Sequence, residues 1–142
     1  MVYINASTAV KHHIDKFLNM FDYSACNWED FNYQFKQPVI WFGLYNANDY
    51  LRLRYHEGAS LIYWLGSDVS ILVNEGLLQY SPKYLQELLK SKTAIHVCET
   101  VQIQEELKSV GIDTSDIYKA YSSWIGSYDF DSNERKNYSK RE

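Results

Sequence analysis

Two carboxylates follow directly on apolar runs, where a chain commonly turns out of a strand: Asp68 in Gly66-Ser67-Asp68 and Glu99 in Cys98-Glu99-Thr100. A carboxylate that opens onto a cleft is the group type that moves protons, so these are the candidate catalytic residues. Side chains that could bind a substrate stand near them in sequence: Gly43 and Tyr45 in Gly43-Leu44-Tyr45-Asn46, then Gly66, Ser67 and Thr100. Gly66 would let a ligand approach the backbone, and a helix starting there offers unpaired N–H groups to an anion or a sugar hydroxyl. Each feature also has a plain structural use. Ser67 and Asp68 can cap the next helix, Gly43 can make a tight turn, and Glu99 can favour a helix N-terminus by its charge.

Other chemistries lack their components. Cys98 would need a lowered thiol pKa and a close base to act as a nucleophile. His96 shares its strand face, but two residues along a strand is roughly 7 Å, too far for that pairing. His12 and His13 are helix neighbours whose side chains diverge by about 100°. No HExxH or CxxC pattern suggests a metal site, and no Walker loop or GxGxxG fingerprint suggests a phosphate cradle.

The elements that would carry these residues alternate in type. Val2-Tyr3-Ile4 reads as a short first strand, followed by an amphipathic helix from Ser7 or Thr8 with Val10, Ile14, Phe17, Leu18 and Phe21 on one stripe. Asp22 to Gln37 reads as a loop with one helical turn near Trp28 and Phe31. Pro38 to Phe42, Ser60 to Leu65 and Thr93 to Val97 are apolar runs of the kind buried on both faces of a parallel sheet. Between them, Asn48 or Asp49 can cap a helix over Tyr50–His56, Asp68 can cap a short helix through Leu72, and Ser81-Pro82 starts another. Glu99 or Thr100 opens a last helix that Gly111 ends. Ile117 to Ile125 offers one further strand, and a polar tail or linker stub occupies 127–142.

Strand–helix alternation predicts right-handed βαβ units in one domain over 1–126: an α/β, three-layer Rossmann-like fold with a small parallel sheet of about four strands flanked by helices. In such a sheet the loops after the strands share one edge, where ligands bind. Composition agrees with a globular chain of 142 residues, 46% hydrophobic and 23% charged. The 13 tyrosines and 4 tryptophans suit cores that open onto clefts, and can also stack on sugars. A net charge of −4 and a pI near 5.5 disfavour nucleic acid as a partner. Cys26 and Cys98 read as reduced thiols, and no apolar run approaches the roughly 20 residues that span a bilayer, so a cytoplasmic location is expected.

The order of Phe42-Gly43-Leu44-Tyr45, Asp49-Tyr50-Leu51, His56-Glu57-Gly58 and Trp64-Leu65-Gly66-Ser67-Asp68 resembles the N-terminal Rossmann-like domain of GT-B-fold glycosyltransferases of the family 4-like type. His96-Val97-Cys98-Glu99, Glu106-Leu107 and Val110-Gly111-Ile112 extend the resemblance, which covers roughly residues 38 to 113. It implies a domain that faces an interdomain cleft and holds a glycan or glycoconjugate acceptor, with Gly66, Ser67, Asp68 and Glu99 on the cleft wall. Asp68 or Glu99 would then help to deprotonate the acceptor hydroxyl. The resemblance implies no cofactor of this chain's own, because a nucleotide-sugar donor is held mainly by a second Rossmann domain, here a downstream or partner-chain element. Two departures stand out: no glycine precedes Gly43, and the sequence after Gly111 runs into Tyr118-Lys119-Ala120-Tyr121 instead of a second domain. A stand-alone module that binds a sugar or a protein without catalysis is the alternative. A flavodoxin-like or response-regulator-like domain is disfavoured, since no acidic cluster or phosphate loop follows the first strand.

Overall fold

A computed structural model describes residues 3–9, 24–25 and 36–114. The helix expected up to Phe21, most of Asp22–Gln37, the strand expected at Ile117–Ile125, the polar tail, Cys26, His12 and His13 lie outside these residues.

The described chain forms the α/β parallel-sheet domain that the alternating pattern predicts. Its strands are β1 (Tyr3–Ala6), β2 (Ser24–Ala25), β3 (Val39–Phe42), β4 (Ser60–Tyr63) and β5 (Ala94–Val97). They lie in the order β2-β1-β3-β4-β5, and every neighbouring pair is parallel. β2 corrects the reading of Ser24 and Ala25 as loop: they pair with Tyr3 and Ile4. Two residues are too few to leave a periodic signal. The other strands end flush, with Ala6, Phe42, Tyr63 and Val97 in one row, so the loops after them leave a common edge.

Helices α1 (Ala47–Tyr55), α2 (Ser67–Ser70), α3 (Pro82–Ser91) and α4 (Val101–Ser109) follow the strands, and α2 continues into a wider π-type turn at Ile71–Glu75. Their apolar residues meet one face of the sheet. Trp41, Ile62 and Trp64 of that face pack with Leu53, Leu85 and Leu107 in the main core. Large aromatics carry much of this burial, and each buried indole N–H among the described residues finds an acceptor, as its polar atom requires. Trp41 donates to Ser60 Oγ at 3.0 Å, and Trp64 donates to His96 Nδ1 at 3.0 Å. On the opposite face Ile4, Phe42, Tyr63 and Val97 form a second buried cluster.

Several boundaries move from the sequence reading for identifiable reasons. α1 begins one turn earlier than expected, because Asn46 is its cap. The Asn46 side chain accepts from Asp49 N–H while Asp49 accepts from Asn46 N–H, a reciprocal capping box. β4 stops at Tyr63 rather than Leu65, since Leu65 N–H turns away to the Asp68 carboxylate. Asp68 does not cap α2 from outside. It lies within the first turn, and its side chain reaches back. The π-type turn releases the Leu72 carbonyl, which accepts from Gln86 Nε2 of α3 at 3.1 Å. Ser81 and Thr100 cap α3 and α4 as their types predict. At the amino end of the sheet, a Cβ on Gly58 would lie 2.5 Å from the Lys36 carbonyl oxygen, so that close backbone passage requires glycine.

Candidate functional site

The strand order reverses direction between β1 and β3: the chain goes from β1 to β2 on one side, then returns across β1 to build outward through β3, β4 and β5. Such a switch point opens a crevice at the carboxyl edge of a parallel sheet. Here the crevice is bordered by Ser7 and Thr8 after β1 and by Gly43 to Asn46 after β3.

A polar chain crosses it. Asn46 Nδ2 donates to Thr8 Oγ1 at 3.2 Å, and Asp49 accepts from Tyr45 N–H at 3.0 Å and Asn46 N–H at 3.2 Å. Asn5 Nδ2 donates to the other Asp49 oxygen at 3.4 Å, and Arg52 donates to Asn5 Oδ1 at 3.4 Å. Asp49 is buried, and both its oxygens are used by donors. Ser7 Oγ is buried beside this network without a hydrogen-bond partner, as is Tyr50 OH in α1. Such hydroxyls are uncommon in folded chains, and here they leave unused bonding capacity near the switch point.

Asp68 has the equivalent role at the end of β4. Its carboxylate accepts from Gly66 N–H at 2.8 Å and from Leu65 N–H at 3.1 Å, and the Leu44 amide lies near enough to favour its charge. Leu44 belongs to the loop after β3, so Asp68 stands where two neighbouring loops meet. Burial raises its carboxyl from 3.8 to about 6, and the backbone donors counter only some of that. A value near neutrality often marks an acid–base catalyst. Asp68, however, is fully buried, and its bonds go to the protein's own backbone. It acts as a pin for the loop after β4.

The expected residues fall into two groups. Gly43, Tyr45, Gly66, Ser67 and Asp68 come together: the Tyr45 ring lies against Gly43, and the Ser67 side chain and the Asp68 charge lie near its phenol. Burial, and after it the Asp68 charge, raise the Tyr45 phenol to about 12. Glu99 and Thr100 stand at the end of β5. Glu99 accepts from Tyr63 OH at 2.8 Å, which joins it to the second face of the sheet, whereas Cys98 belongs to the main core on the first. Thr100 Oγ1 accepts from Ile103 N–H at 3.1 Å as the cap of α4. Burial, the largest influence, raises the Cys98 thiol, the reverse of what a nucleophile needs. Among the described residues no group of His, Cys, Asp and Glu side chains could hold a metal ion, and no helix is long and apolar enough to cross a membrane.

Sequence reasoning did not single out Tyr63, Asn5 or Ser7 for this edge. The three-residue spacing from Asn46 to Asp49 could have revealed the capping box. Nothing in the sequence pairs Tyr63 with Glu99, which are joined only through sheet register. Compared with known protein families, curated proteins and solved structures, the chain matches none.

Proposed function

We propose that this chain is the acceptor-side Rossmann-like domain of a GT-B-type glycosyltransferase, binding a glycan or glycoconjugate and completed by a separate donor-binding domain. The sugar chemistry comes from the sequence resemblance over residues 38 to 113. One structural observation supports the division of labour: resident side chains already occupy the backbone N–H groups that a nucleotide-binding Rossmann edge would offer to phosphate. Asp49 takes those of Tyr45 and Asn46, Asp68 takes those of Leu65 and Gly66, and Thr100 takes that of Ile103. Phosphate brought there would meet buried carboxylates. A neutral, hydroxylated ligand suits the edge better than a nucleotide.

Of the two carboxylates, Glu99 is the one to orient or deprotonate an acceptor hydroxyl. It retains some exposure, at 9%, where Asp68 has none. The Tyr63 hydroxyl donates to Oε2 and steadies the group.

The test is a ligand-observed NMR titration of wild type and Glu99→Gln with nucleotide-sugars and simple glycans. Glycans are expected to bind while nucleotide-sugars stay silent, and Glu99→Gln is expected to weaken glycan binding roughly tenfold, the loss of one charge-assisted hydrogen bond. Nucleotide-sugar binding by this chain, or no glycan binding by a folded chain, would overturn the reading. The second result would leave a protein-binding module.

A further inference from the structure

We infer that Tyr45 is a preset stacking platform for one face of a pyranose ring, with its ring seated on Gly43. The inference rests on the acceptor reading and deepens it by naming the surface that the sugar covers.

Two restraints converge on this side chain from different elements. Its backbone is held by Asp49 of α1, whose Oδ2 accepts Tyr45 N–H at 3.0 Å. Its ring lies over Gly43: a Cβ there would stand 2.5 Å from Tyr45 Cε2 and 2.9 Å from Cδ2. Gly43 also has φ +82°, a left-handed conformation natural to glycine. The missing side chain therefore serves two ends, the turn after β3 and the seat of the ring. The side chain of Ser67, at the start of α2, lies beside the phenol hydroxyl. Leu65 also packs against Gly43, with Cδ1 3.3 Å from the same notional Cβ.

A tyrosine fixed at backbone and ring would ordinarily be a core residue. This one stays partly open to solvent, at the edge where a parallel sheet takes ligands. An aromatic ring whose rotamer is already fixed loses little entropy on binding, so its contact area converts efficiently into affinity. The ligand that fits has an apolar C–H face for the ring and a rim of hydroxyls for Ser67 and its neighbours. A pyranose has both. A planar base also stacks, but its phosphates would face Asp49 and Asp68.

The experiment is saturation-transfer NMR with methyl pyranosides and, in parallel, uridine and guanosine. The proteins are wild type, Tyr45→Phe, Tyr45→Leu and Gly43→Ala, with circular dichroism and melting as checks of the fold. Saturation is expected to be strongest on the C–H protons of one pyranose face. Tyr45→Leu, which keeps apolar bulk without an aromatic face, is expected to weaken binding about tenfold. Tyr45→Phe should keep most of the affinity, and Gly43→Ala, which displaces the ring without removing it, should lose it as Tyr45→Leu does. Pyranosides that bind wild type and Tyr45→Leu alike would overturn the platform and leave the acceptor reading standing. No pyranoside binding to folded wild type would overturn both, and nucleosides binding in their place would assign the ring to a base.

Discussion

At the scale of single residues, two buried groups titrate against each other. Asp68 is raised from 3.8 to about 6 by burial, so between about pH 4 and 6 the folded chain holds a proton that the unfolded chain lacks. Its contribution to stability is full below the unfolded pKa and is lost as pH rises through 6. His96 behaves oppositely. Burial lowers it from 6.5 to about 4, and Trp64 N–H donates to Nδ1, which a neutral ring alone can accept. Its contribution is full above 6.5 and is lost as pH falls toward 4. Over the shared window the two proton counts cancel. His56, also lowered by burial, adds to the His96 side. Wild type is therefore expected to show a shallow stability profile from about pH 4 to 6, whereas Asp68→Asn should lose about 1.4 kcal/mol more per unit of acidification. Urea unfolding across that range measures it, and parallel profiles for the two proteins would contradict the assignment.

At the scale of elements, the helix starts are where function is most easily misread. Thr100 reads in the sequence as a candidate substrate contact, and the structure gives it the cap of α4. Thr100→Ala is expected to cost about 1 kcal/mol, and Thr100→Ser to restore most of that, in denaturant melts of each variant. A glycan affinity that followed Thr100 while stability stayed constant would return the residue to the binding surface. The apolar runs of β3, β4 and β5 were legible as short continuous stretches of the parallel-sheet kind, although β5, expected to be buried on both faces, leaves Ile95 half exposed. Helix beginnings were less so. Asn46, Asn48 and Asp49 are all capping types, and only the reciprocal bond between Asn46 and Asp49 chooses among them. The end of β4 was unreadable for another reason. Trp64 and Leu65 remain apolar, and the strand stops because a carboxylate three residues on takes the Leu65 N–H.

At the scale of the whole molecule, the sequence conveyed the parallel sheet and the shared edge of its loops, since alternation of strand and helix fixes both. It did not convey strand order. That depends on β2, whose two residues pair with β1 and so set the reversal between β1 and β3. The grouping of Tyr45 with Gly43, Ser67 and Asp68 was half legible, as neighbouring loops of one edge. The separation of Asp68 from Glu99 was not, because it turns on which face of the sheet each side chain joins and on how deeply Asp68 is enclosed.

Carboxylates that bind loop amides also alter how that edge moves. Tyr45, Asn46, Leu65 and Gly66 lie outside every strand and helix, yet their amide hydrogens are held by Asp49 and Asp68. In deuterium exchange they are expected to be retained about as long as amides of the central strands, reversing the usual ranking of loops below core. Asp68→Ala should release Leu65 and Gly66 while leaving Tyr45 and Asn46 slow. A crevice rimmed by amides this slow to exchange would receive its ligand as a rigid mould, with the fit settled at folding.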